Sequence, residues 1–186
     1  MGRPKALLPC DAAGTTFVRR LAAVLCEGGA EEALVVGRPE DEALRAEVGS
    51  LSVRARYIEN AHADTGQLSS VLAGLAAADR PGVRGILVTP VDAPMISAPT
   101  IAALIAAFRS TGAPIVRAVY KGRHGHPVIF SREIFDDLRR ADPAVGARAV
   151  VRAHAARVVD LDVNDPGVLG DVDTPGDYHT LLGREL

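Results

Sequence analysis

Tryptophan is absent from the 186 residues, cysteine and methionine occur twice each, and aromatic residues make up 4%. Cys10 and Cys26 are not spaced as a redox pair, so a disulfide framework is excluded and both thiols are expected reduced. No set of Cys and His has zinc-ligand spacing. Long hydrophobic runs are lacking too: none approaches the ~20 residues of a membrane span. The start, Met1-Gly2-Arg3-Pro4-Lys5, leads into too short an apolar stretch for a signal peptide. Nor is there a basic block or an aromatic-basic alternation of the kind that tracks a nucleic-acid backbone, and the net charge is only −2. These absences point to a cytoplasmic protein that meets neither membrane nor nucleic acid. With 48% hydrophobic residues, the length suits one domain, residues 1–186, with a sizeable core.

Hydrophobic periodicity predicts strands alternating with helices. Val18, Leu21, Ala22 and Leu25 fall on one helix face, stopped by Gly28-Gly29. Residues 33–37 and 53–59 read as strands, 66–78 as a helix, and 85–88 as a buried strand ending in the loop 89–94. A helix around Ile101, Leu104, Ile105 and Phe108 follows. Strands 115–120 and 127–130 flank a turn over 121–125, and Ser131 is placed to cap a short helix through Leu138. A further helix is expected over 146–154 and a strand over 158–163, and Thr174-Pro175-Gly176-Asp177 reads as a helix start. The pattern implies an α/β fold, Rossmann-like and in three layers, whose mostly parallel sheet binds ligands at the C-terminal ends of its strands. Such folds normally open with a buried strand, whereas this sequence opens in a loop that runs straight to a helix. A central strand is therefore expected to be missing, through truncation or a misplaced start, leaving neighbouring strand edges exposed.

Four segments carry candidate chemistry. Gly2, Arg3 and Lys5 lie in a loop whose cations suit phosphate oxygens, as well as a merely solvated basic terminus. Gly66, Ser69 and Ser70 sit at a helix N-terminus, where free amides and small hydroxyls suit an anion or a base edge, or an ordinary cap. Asp92 follows the buried strand, where a carboxylate could hold Mg²⁺ together with substrate phosphates, or simply turn the chain before Pro94. Asp171 closes an acidic stretch from Asp160. That stretch fails as a calcium loop, because Asp165 stands at the glycine position and Asp171 at the glutamate position. It reads better as a second metal carboxylate, Asp171, with Asp173 capping the last helix. His124 and His126 form a His-x-His pair with no third ligand, which favours a hairpin lining a pocket.

In chain order these segments resemble the MobA-like NTP transferase family, and within it the molybdenum cofactor cytidylyltransferases. Residues 1–9 resemble the end of that family's nucleotide loop. Asn60 and residues 66–71 resemble the segment that meets base and ribose, and residues 90–94 the metal-binding strand end. Residues 125–128 and 145–148 resemble two substrate-side elements, and residues 171–178 the closing motif. The family's first strand and the start of its loop would lie upstream of Met1.

The resemblance implies a nucleotide-diphospho-sugar transferase type of fold and transfer of CMP from CTP to a phosphorylated pterin, with release of pyrophosphate. It implies Asp92 and Asp171 as ligands of Mg²⁺ or Mn²⁺, Lys5 facing the phosphates, and Gly2, Arg3, Gly66, Ser69 and Ser70 near the nucleotide. His126 and Arg148 are then placed on the acceptor side. The implied partners are an NTP and a molybdopterin-type acceptor, with a molybdenum hydroxylase or its chaperone downstream. A guanylyl- or sugar-nucleotide transferase on the same scaffold and an inactive cofactor-delivery module are the alternatives. A nicotinamide dehydrogenase is disfavoured by the lack of Gly-x-Gly-x-x-Gly after a strand.

Overall fold

The computed structural model describes residues 4–185. Thr16 accepts from the Arg19 amide at 3.3 Å and so caps α1, Phe17–Glu27. Strand β1, Ala33–Gly37, is followed by α2, Glu42–Gly49, which the sequence reading left unassigned, and by β2, Ala55–Glu59. Helix α3, Gln67–Ala78, leads to β3, Gly85–Val88, and α4, Ala98–Thr111, ends on Gly112 in the left-handed conformation. Strands β4, Ile115–Tyr120, and β5, Arg123–Ser131, form the expected hairpin. Helices α5, Phe135–Arg140, and α6, Ala147–Ala153, precede β6, Val158–Asp162, and α7, Pro175–Glu185.

The strands form two separate sheets. β1 pairs in parallel with β2, while the other four run in the order β3-β5-β4-β6. Within the four-stranded sheet β5 alone is reversed, antiparallel to both β3 and β4, and β4 runs parallel to β6. Leu87 and Ile129, paired across β3 and β5, face Leu104 and Ile105 of α4. Their neighbours Ile86 and Phe130 pack instead against Leu75 of α3 and Leu138 of α5. Successive residues thus fill opposite layers, which is why these strands read as unbroken apolar runs. The result is the expected three-layer, Rossmann-like nucleotidyltransferase fold.

Two local expectations change. The turn predicted over 121–125 contracts to Lys121 and Gly122, both with positive φ, and β5 begins at Arg123. A two-residue turn of that kind matches the twist of the flanking strands. Ser131 ends β5 and makes no capping hydrogen bond, because its hydroxyl is buried without a partner.

Between β1 and β3 lies a cavity of about 570 Å³, lined by Leu21 and Leu25 of α1 on one side and by Val71, Gly74 and Ala78 of α3 on the other. Among the described residues β1 is paired only with β2, and β3 only with β5.

Candidate active site

The loop after β3 and the loop before α7 meet where Val172 donates its backbone N–H to the carbonyl of Asp92 at 2.7 Å. This bond brings the carboxylates of Asp92 and Asp171 into one neighbourhood, as the sequence suggested. Asp171 as a residue is exposed. Even so, desolvation of its carboxyl and then the charge of Asp92 hold its pKa above the ordinary carboxylate value. Burial and a neighbouring like charge both disfavour the ionised form.

Lys5 sits in a single helical turn, Lys5–Leu7, anchored by buried Ala6 against Val18, Leu44 and Val48. Its Nζ donates to Asp173 Oδ1 at 2.7 Å and stands 3.6 Å from Asp92 Oδ2. The hydrogen bond to Asp173 raises the Lys5 pKa most, and the charge of Asp92 adds to it against the lowering effect of burial, so the cation persists at any working pH. Asp173 is therefore a member of the cluster and does not cap α7. The cap is Thr174, whose Oγ1 accepts from the Asp177 amide at 3.1 Å. The acidic run around Asp173 offered no signal separating a cap from an ion-pair partner.

His126 enters from β5. Burial pushes its pKa down most strongly, against the raising effects of Asp171 and Asp92, so the imidazole is neutral near pH 7. Its Nδ1 is buried without a hydrogen-bond partner. His124 instead points its Nε2 at Asp160, 3.3 Å away, so the two histidines of the His-x-His pair have different acidic neighbours. Arg148, just inside α6, is exposed and close enough to His126 for its charge to count.

On the other side of the cavity, buried Asn60 donates through Nδ2 to Ser69 Oγ at 2.8 Å and to Ser70 Oγ at 3.1 Å. Ser69 in turn donates to the Gly66 carbonyl at 2.8 Å, and Gly66 has a φ of 107°, which favours glycine. Gly66, Ser69 and Ser70 thus form one polar cluster at the start of α3, while Ser70 also borders the cavity. Gly2 and Arg3 lie outside the described residues.

Chemically, Asp92 and Asp171 offer the two oxygen donors that a hard divalent cation takes alongside substrate phosphates, and such a cation would offset the repulsion between them. No cluster of three or more metal-ligating side chains occurs among the described residues, so water and substrate would complete the shell.

Residues 1–158 match the profile of the MobA-like NTP transferase domain. The chain belongs to that family. Purine catabolism protein PucB of Bacillus subtilis (strain 168) is 32% identical over 120 residues, 62% of this chain and 56% of PucB, so the match spans just over half of that relative. Among solved structures, Rv0371c from Mycobacterium tuberculosis H37Rv superposes with a TM-score of 0.80 at 27% identity, covering 98% of this chain and 91% of that one. A complex of Rv0371c with manganese matches at 29% identity and a TM-score of 0.76, over 98% and 93% of the two chains. Molybdopterin-guanine dinucleotide biosynthesis protein A from Archaeoglobus fulgidus shares the fold at 15% identity, with a TM-score of 0.67 over 98% and 91% of the chains. No helix among the described residues is long and apolar enough to cross a membrane.

Proposed function

We propose that this chain transfers CMP from CTP to the terminal phosphate of a molybdopterin-type acceptor, forming a cytosine dinucleotide and pyrophosphate. The observation that carries the reading is the convergence of Lys5, Asp92 and Asp171 at the C-terminal end of β3, facing His126 from β5. An acceptor phosphate oxygen attacks the α-phosphorus of the nucleotide. The new P–O bond forms as the bond to the bridging oxygen breaks, and pyrophosphate departs with that electron pair. An anionic nucleophile needs no strong general base, which leaves a neutral His126 free to orient the acceptor by hydrogen bonding.

Lys5 supplies fixed positive charge against the oxygens where charge accumulates. It would exchange Asp173 for phosphate oxygens as the nucleotide enters. Asp92 and Asp171 would hold Mg²⁺ or Mn²⁺, which when bound neutralises the phosphates and polarises the phosphorus. The manganese complex of Rv0371c supports a divalent ion. Gly66, Ser69 and Ser70 lie near the base and ribose, with Asn60 holding the two hydroxyls in place. A molybdenum hydroxylase or its chaperone would take the product.

The experiment is a pyrophosphate-release assay with CTP, GTP or ATP, with and without Mg²⁺ or Mn²⁺, in the presence of molybdopterin. Metal-dependent release that prefers CTP supports the reading. Preference for GTP moves the chain to guanylyl transfer, and folded protein without release for any nucleotide sinks the transferase reading.

A further inference from the structure

Residues 89–96 carry Asp92 between β3 and α4 and belong to no helix or strand. Ala93, Pro94 and Ile96 within them are fully buried, while the Asp92 carboxylate stays partly open. Among the described residues, two hydrogen bonds reach this loop's backbone from elsewhere in the chain. Val172 donates its amide to the Asp92 carbonyl at 2.7 Å, and Arg20 of α1 donates its Nε to the Pro94 carbonyl at 2.8 Å. The loop is thus held at Asp92 itself and two residues further on, from opposite ends of the sequence.

Arg20 and its neighbour Arg19 have different tasks, because successive residues of a helix point about 100° apart. Arg19 turns to α2, where it bonds Glu47 Oε1 at 3.1 Å and Ser50 Oγ at 2.8 Å. Arg20 turns to the loop, and no carboxylate pairs with it among the described residues. The next residue, Leu21, packs with Val24 against Ala93, Ile96 and Ile101. That apolar contact sets how close α1 lies to the loop but has no direction of its own. The bond from Arg20 supplies the direction.

The Pro94 carbonyl has no other donor among the described residues. Without the guanidinium a buried acceptor is stranded, and the loop relieves it only by turning that peptide toward water. Turning it moves the Asp92 carboxylate two residues away.

We propose that Arg20 is a positioning residue for the transferase reaction. Through the Pro94 carbonyl it fixes Asp92 in the orientation that, together with Asp171, takes a divalent cation. The inference rests on the reading of Asp92 and Asp171 as the cation's ligands. Removing a group that orients a metal ligand without touching the metal lowers affinity by about 10- to 100-fold.

The test titrates Mn²⁺ calorimetrically into the parent chain, Arg20→Met, Arg20→Lys, Arg19→Met, Arg19→Lys and Asp92→Asn. Hydrogen exchange is read by mass spectrometry on segments 89–97 and 33–37 of each. Methionine keeps an apolar stem against the loop, so the change is chiefly the loss of the donor. Arg20→Met should bind Mn²⁺ about tenfold or more weakly and exchange faster at 89–97, with 33–37 as in the parent. Arg20→Lys retains a donor and should recover part of both effects. Arg19→Met loses the same charge from the same helix and should keep the parent's affinity. In the pyrophosphate-release assay, excess Mn²⁺ should restore turnover to Arg20→Met but not to Asp92→Asn.

Parent-like affinity and exchange in folded Arg20→Met overturn the proposal. So does a loss that Arg19→Met matches, which would make the effect one of net charge or helix stability. Where Arg20→Met does not fold, Arg20→Lys is compared with Arg19→Lys: weaker Mn²⁺ binding by the first supports the proposal and equal binding overturns it. A parent that binds no Mn²⁺, or an Asp92→Asn variant that binds it as tightly as the parent, removes Asp92 from the cation site, and the reading of the site falls together with the proposal.

Discussion

Asp165 and Thr100, 65 residues apart, meet through a 2.7 Å hydrogen bond in which the threonine hydroxyl donates to the carboxylate. The same Oδ2 accepts from the Ser97 amide at 2.9 Å and the Ser97 hydroxyl at 2.8 Å, and Oδ1 accepts from the Gly167 amide at 2.9 Å. One buried carboxylate thus ties the start of α4, just after the Asp92 loop, to the segment that leads into Asp171.

Burial opposes ionisation of Asp165 most strongly, yet the donors from Thr100, Ser97 and Gly167 together outweigh it and lower its pKa below 3.8. Its contribution to stability is therefore complete above that ordinary value and fades as pH falls through the lower folded one. Asp165→Ala should cost about 2 to 3 kcal/mol at pH 7, since buried donors lose a charged acceptor. Asp165→Asn should flatten the acid limb of the stability curve. Urea unfolding from pH 7 to pH 2 measures both.

Gly167 presses against the Met95 carbonyl and the Ile96 amide, where no Cβ has room. Gly167→Ala must push the 165–171 segment away from the Asp92 loop. A stability loss of about 1 to 3 kcal/mol is expected, with Mn²⁺ affinity falling further than the stability change alone implies. Calorimetric titration on the folded variant separates the two.

Asp171 ionises against desolvation of its carboxyl and then against the charge of Asp92, so its charged form is a liability to the fold at neutral pH. That penalty exists above its raised pKa and is absent below the ordinary 3.8. Asp171→Asn should raise the thermal midpoint at pH 7 relative to the parent, an advantage that disappears at low pH, while metal binding is lost. A midpoint unchanged at every pH would remove the electrostatic argument for a shared cation.

Asp92→Asn and Lys5→Ala should each lower kcat for pyrophosphate release by ~10²-fold or more, the scale of removing one group that stabilises developing charge. Circular dichroism should show both folded. Lys5→Arg should restore little, because a planar guanidinium does not replace a compact ammonium between two carboxylates and a phosphate.

Strands 33–37, 85–88 and 115–120 are legible to the residue because their runs are short and largely apolar, broken in the third only by Arg117. Helix α2 is not. Its apolar positions, Leu44 and Val48, are few, and its start is signalled mainly by Asp41, whose carboxylate accepts from the Leu44 amide. The front of β5 reads as turn because Arg123 and His124 are exposed and polar, and pairing with β4 decides their conformation. At the candidate site, chain position and motif order anticipate that Asp92 and Asp171 come close to each other. The contacts of Asp173 and Asp165 are not anticipated, since a carboxylate's partner more than 60 residues away leaves no local trace.

The separation of the two sheets has a kinetic meaning. Among the described residues β1 and β2 share no ladder with the four-stranded sheet, and α3, which packs on both β1 and β3, is a main link between them. Residues 33–59 are accordingly expected to behave as a cooperative unit of their own, opening and closing while β3, β4, β5 and β6 stay protected. Unfolding followed at Tyr57, on the small sheet, should then precede unfolding followed at Tyr120, on the large one, as a departure from a single all-or-none transition.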